Sequence, residues 1–248
     1  MKKFFFYWRV TLILFLVVFG CTPTDDVDRD PLWPDIDLSL YQSYPIGWHN
    51  VLPAVPTDYW ELRSSSDHKV SLTVGDKCSK AQNPQACTRE FDTLRVDRGF
   101  GNPICRDAYV YPCEQYIVSN HGNDNRVWDT LDKLKEFLGA IDSKAEALLL
   151  AEGHGFFTFG AVSRGNGTRN QTSRISWGGV AYAFTPSPPL DGGVREIDGE
   201  YELIVQKTIS VCSPRHNNRY LIRIKPSSEL VILREQINER GGIIASCP

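Results

Sequence analysis

The stretch Arg219-Tyr220-Leu221-Ile222-Arg223-Ile224-Lys225 alternates with a period of two. Tyr220, Ile222 and Ile224 fall on one side of an extended chain, and Arg219, Leu221, Arg223 and Lys225 fall on the other. That pattern predicts a strand with one face on a core and the other mainly in solvent. Working outward, Phe156–Val162, Arg174–Phe184, Glu200–Cys212 and Glu229–Glu235 are also rich in β-branched and aromatic residues and are separated by Gly, Pro, Asn and Ser. They predict four further strands. Short connections make neighbouring strands antiparallel.

Before residue 156 the period is 3.6. In Arg126–Leu138 the apolar residues Val127, Leu131, Leu134 and Leu138 form one helical face, widened by Trp128 and Phe137. Ser143-Lys144-Ala145-Glu146 then has the form of a capping box, in which Ser143 and Glu146 satisfy the first free amides of a second helix. That helix runs through Leu148, Leu149 and Leu150 to Gly153, which is expected as its C-terminal cap. Helices followed by strands give an α+β domain: two short helices on an antiparallel meander sheet of about five strands. The preceding part is expected to be loop-rich and to contain disulfides. It holds a short strand at His68–Val74, a helical turn after Pro84 within Ala81–Leu94, and a strand at Ala108–Val118.

Composition sets the class. The chain has 248 residues, 42% hydrophobic and 23% charged, which excludes disorder and collagen. A net charge of −3 gives no reason to expect nucleic acid as partner, since that binding needs clustered Lys and Arg. The single long apolar run lies at residues 4–20, behind Lys2 and Lys3, the layout of a secretory signal peptide. Arg9 leaves about 11 clean apolar residues, short of the roughly 20 that a spanning helix needs.

That run ends in Val18-Phe19-Gly20-Cys21, which resembles the lipobox of bacterial lipoproteins. The resemblance covers the first 21 residues and implies cleavage after Gly20 and lipidation of Cys21. Acyl burial contributes about 0.8 kcal/mol per methylene, so more than one chain gives lasting anchorage. Thr22 follows the cysteine where lipoproteins of the inner membrane commonly have Asp, so the resemblance implies sorting to the outer membrane. The domain would then stand in the periplasm or on the cell surface.

Residues 21–58 carry Asp25, Asp26, Asp28, Asp30, Asp35 and Asp37 among Pro23, Pro31, Pro34, Pro45, Pro53 and Pro56. This composition reads as a stiff acidic tether. Trp33, Tyr41, Tyr44 and Trp48 suggest that its second half packs along the domain at 59–248. Beyond Cys21, six cysteines remain, an even number that suggests disulfides in an exported chain. Spacing favours Cys78–Cys87, Cys105–Cys113 and Cys212–Cys247. Closing the last, about 35-residue loop would stabilise the fold by about 3 to 4 kcal/mol on the chain-entropy model. Neither Cys-x-x-Cys nor a His pair at helical spacing is present, so no metal is expected.

Three stretches bear on chemistry. Ala161-Val162-Ser163-Arg164-Gly165 is similar to the nucleophile elbow of α/β-hydrolases, but Ser163 leads into a Gly/Asn-rich loop rather than a helix. Glu152-Gly153-His154-Gly155 sets an acid and an imidazole beside a glycine break. The loop from Arg164 to Arg174, with Arg169 between them and no acid, suits an anion. The expectation is a lipid-anchored envelope binding module without cofactor or assigned catalytic residue. Its partner would be another envelope protein, an exported toxin or enzyme that it inhibits, or a cell-wall saccharide. The alternatives are an envelope hydrolase using Glu152 and His154 or Ser163, and a structural envelope spacer.

Overall fold

The structure, a computed structural model, describes residues 33–43, 50–102, 114–157, 176–177, 180–181, 192–210 and 216–238. The chain divides into two compact units, Met1–Leu40 and Tyr41–Pro248. In the first, Leu38–Leu40 forms a 3-10 turn, and the Asp37 carboxylate accepts from the Ser39 amide at 2.9 Å and hydroxyl at 2.6 Å.

The second unit has an α+β fold with three helices and two principal antiparallel sheets. In chain order its elements are β1 (Gln42–Ser43), β2 (Tyr59–Ser64), β3 (Val70–Gly75), α1 (Pro84–Thr93), β4 (Gln115–His121), β5 (Asp124–Trp128), α2 (Leu131–Leu138), α3 (Lys144–Gly153), β6 (Ser176–Trp177), β7 (Val180–Ala181), β8 (Gly193–Ile197), β9 (Glu200–Ser210), β10 (His216–Ile224) and β11 (Leu230–Asn238). The larger sheet has the order β1-β8-β9-β10-β11 and the smaller β3-β2-β4-β5, while β6 and β7 pair with each other.

Strands β9 to β11 follow the expected meander, but the rest of the sheet's membership differs from the sequence expectation. Phe157 makes an isolated bridge with Gln206, and residues 158–162 lie outside the described residues. Ser176–Trp177 and Val180–Ala181, from the second expected strand, form the separate β6–β7 pair. Their places in the five-stranded sheet are taken by β8 and by β1, where Gln42 pairs with Val194. Strand β8 leads into β9 through a two-residue turn, Asp198-Gly199, both at positive φ (52° and 78°). Asp-Gly is favoured there because such a turn matches the twist of the flanking strands.

Tyr201, Leu203 and Val205 of β9 and Tyr220, Ile222 and Ile224 of β10 enter the main core with Leu134, Phe137 and Leu138 of α2. Trp60, Leu62, Ile117 and Trp128 of the smaller sheet join the same core. The helix pair therefore serves both sheets: α2 packs on β5, and α3 on β8 and β9. Every α3 residue from Ala145 to Ala151 is buried, the condition of a helix enclosed by protein rather than laid on a surface. Its capping box is formed as expected, and Glu146 also accepts from Leu52 N at 2.9 Å and Asp142 N at 3.0 Å.

Four local expectations are corrected. The helix expected from Arg126 begins at Leu131, behind the N-cap Thr130, because Asp124–Trp128 pair with β4. Gly153 is the last residue of α3 rather than its cap; His154 caps, and Gly155 takes the positive φ of 83°. A Cβ at Gly153 would lie 2.4 Å from Leu134 Cδ2, so this glycine permits the close approach of the helices. The second face of β10 is not mainly solvated, since Arg219 and Leu221 are 1% and 5% exposed.

In the part before residue 130 the expected strand, helix after Pro84 and Cys78–Cys87 disulfide are present as β3, α1 and a bridge. The fourth correction is that β2 and β5 join β3 and β4 in a four-stranded sheet that was not expected. Tyr59 to Arg63 of β2 are buried on both faces, which erases the alternation that marks a strand. Arg63 pairs with Glu61 beneath α1 and donates to Leu94 O at 2.6 Å, while Tyr59 OH donates to Glu61 Oε2 at 2.5 Å. Cys78 and Cys87 are joined by a disulfide beside Phe91, Tyr116 and Val118 in a second small core.

Candidate functional site

Two places bring together groups that the fold alone does not require. The first is the end of α3. Burial pushes the Glu152 carboxyl up to about 8, so at neutral pH it is mostly protonated. Burial, assisted by the charges of Lys135 and Lys207, pushes the His154 imidazole down to about 4, so it is neutral. The buried His154 Nε2 has no hydrogen-bond partner among the described residues. Lys207 donates to His154 O at 3.0 Å and lies 4.9 Å from the centre of the Phe156 ring; burial lowers its pKa as well. Glu152 and His154 are not joined. Burial alone moves the acid, and the charges that move the imidazole come from lysines. An acid and an imidazole that do not meet lack the relay a general base needs.

The second place is the outer side of β11, which has no further strand beside it among the described residues. Leu221 pairs with Arg234 and Ile222 with Ile232, so Leu233 is a bulge without a cross-strand partner. The bulge sets Ile232, Glu235 and Ile237 on one face, because they oppose Ile222, Tyr220 and Asn218, which alternate by two. This is the face that in β9 and β10 meets the core, yet here it is open. Ile232, Leu233 and Ile237 are 51%, 38% and 61% exposed.

Between the isoleucines stands a positioned carboxylate. Tyr220 OH and Asn218 Nδ2 donate to the same oxygen, Glu235 Oε1, at 2.8 and 2.7 Å. Tyr220 is held edge-on against Phe156 with centroids 5.1 Å apart, which ties the edge to the segment that follows α3. Burial and the bond to Glu235 raise the Tyr220 pKa, so its hydroxyl stays protonated and donating.

On the opposite face of the same sheet, Glu202 is buried and accepts from Tyr41 OH, from Arg195 Nε at 2.9 Å and Nη2 at 2.5 Å, and from Arg223 Nη2 at 3.1 Å. Burial opposes ionisation, but these donors outweigh it and hold the carboxyl below its usual range. This network ties the residue before β1 to β8, β9 and β10, and Glu200, 3.7 Å from Arg223, supplies a second carboxylate for the two guanidiniums.

Searches for similar proteins add nothing to this geometry. No protein family, curated protein or solved structure matches the chain. The site therefore stands on its residues.

Of the residues singled out in the sequence, Cys21, Cys105, Cys113, Cys212 and Cys247 lie outside the described residues, as do Ser163, Arg164, Arg169 and Arg174. Among the described residues, no group of three or more His, Cys, Asp or Glu side chains is placed to hold a metal, and no helix is long and apolar enough to cross a membrane. Sequence reasoning passed over Ile232, Glu235 and Ile237. The available signal was the aliphatic run Leu230-Val231-Ile232-Leu233, too continuous for a strand with one solvated face.

Proposed function

We propose that this chain is a lipid-anchored protein of the bacterial envelope that works by binding, and that its binding element is the edge of β11. The lipobox-like end of the signal peptide supports the anchor. The binding reading rests on one observation: a nine-residue edge strand that carries three exposed aliphatic side chains. Proteins commonly blunt such edges with short length, charge or cover, because unpaired N–H and C=O groups template another strand. An edge of this length and apolarity suits strand addition, in which an extended polypeptide supplies main-chain hydrogen bonds and its alternate side chains supply selectivity. The partner class is thus a polypeptide of the envelope.

A photo-crosslinking side chain placed at position 237 in cells tests this reading. A discrete adduct is expected from that position, and Ile232→Asp should abolish it without lowering the thermal midpoint by more than a few degrees. The reading fails if a probe at Leu52, which is 67% exposed and away from any strand, yields the same adduct. It also fails if the adduct survives Ile232→Asp.

A further inference from the structure

The geometry points to Glu235 as the residue that selects the docked segment: an extended peptide with a lysine or arginine facing Glu235 and aliphatic residues facing Ile232 and Ile237. This inference rests on β11 acting as a docking edge and adds the chemistry of what docks.

Both donors to Glu235 use Oε1, and among the described residues no donor to Oε2 is present, while the residue itself is exposed. The carboxylate is oriented from behind by Tyr220 and Asn218 and flanked on its own face by two exposed isoleucines. A strand laid along β11 would cover all three side chains at once. An apolar or acidic residue opposite Glu235 would bury that oxygen unpaired, which costs more than a good contact returns. A basic residue would instead complete a charge-assisted hydrogen bond on a partly desolvated carboxylate. The bulge at Leu233 matters here, because it brings Glu235 into the position that a regular strand would give to residue 234. The complementary pattern is therefore aliphatic-x-basic-x-aliphatic, with regular strand spacing.

Three nine-residue peptides of alternating Thr and Val, with Lys, Gln or Glu at the central position, test the assignment by fluorescence titration against the full-length protein. The Lys peptide should bind about fivefold more tightly than the Gln peptide, the factor expected of one partly exposed ion pair. The Glu peptide should bind more weakly than both. Raising the salt to about 0.5 M should shrink the preference in the unaltered protein, without recourse to any variant. Glu235→Gln, which keeps an acceptor for Tyr220 and Asn218, should erase it, and Glu235→Lys should reverse it toward the Glu peptide. Equal binding of all three peptides would overturn the role of Glu235 while leaving the edge as a docking site. A Lys preference that persists in Glu235→Gln would assign selection to another group. Failure of every peptide to bind would remove the edge reading and this inference with it.

Discussion

Replacing Glu202 with Gln should destabilise the domain by about 3 kcal/mol, near the lower end of what is lost when one member of a buried ion pair is removed. The magnitude follows from what the carboxylate does. It is buried and takes donors from Tyr41, Arg195 and Arg223, with the nearest Arg195 contact at 2.5 Å. The amide keeps the size and one acceptor, but it presents an N–H₂ to two guanidiniums and leaves Arg195 without this carboxylate and Arg223 with only Glu200, at 3.7 Å. Arg195 and Arg223 retain 25% and 35% side-chain exposure, which lets water recover part of the loss and keeps the figure below the top of the range. In a domain of this size about 3 kcal/mol corresponds to a fall of about 6 to 12 °C in thermal midpoint. Because Glu202 is held below its usual pKa in the folded state, its contribution is present above the unfolded carboxylate range and disappears as pH falls through the folded value. Calorimetry from neutral to acid pH should show the gap between wild type and variant closing on acidification. A loss below about 1 kcal/mol at neutral pH, or a gap that stays constant into acid, would refute the reasoning.

The remaining predictions concern other groups. Glu152 has the opposite sign: its folded pKa is raised to about 8, so folding is favoured at acid pH and weakened as pH rises toward that value. Glu152→Gln should flatten this dependence and raise the midpoint at pH near 8, as followed by thermal melts across pH. Gly153→Ala would place a methyl 2.4 Å from the buried Leu134 Cδ2, and the overpacking of about 1 to 3 kcal/mol should exceed the gain of about 1 kcal/mol in helix propensity. A midpoint in urea above wild type would contradict that. Glu146→Ala removes the acceptor for the amides of Leu52, Asp142 and Ser143 and should cost about 2 to 3 kcal/mol by chemical denaturation. Cys21→Ser should shift the protein from the membrane to the soluble fraction, and unchanged membrane retention would argue against acylation.

Local chemistry was legible wherever the chain carries its own explanation. The capping box of α3 was readable from Ser143 and Glu146, and the core face of β10 from Tyr220, Ile222 and Ile224. What escaped was set by distant partners. Strand β2 lacks alternation because it is covered on both sides, and its buried Glu61 and Arg63 look like surface residues until α1 is laid over them. Arg126 to Trp128 fit a helical face as well as a strand, and pairing with β4 decides between them. Gly153 carries the usual mark of a helix end, and only the proximity of Leu134 reveals its packing role. The candidate edge was hidden for a related reason: the bulge at Leu233 shifts the phase, so Glu235 shares a face with Ile232, which a strict period of two forbids.

The placement of β1 has a mechanical consequence. Its two residues pair with Gly193 and Val194, about 150 positions further along the chain, and among the described strands it is the one nearest the end proposed to hold the lipid. Traction applied from that end would meet this short ladder first and would peel it one pair at a time. Two residue pairs alone would yield easily, but Tyr41 beside them is held by Glu202 and Arg195, so that contact would set the load at which β1 gives way and lengthens the leash before the longer strands behind it bear any load.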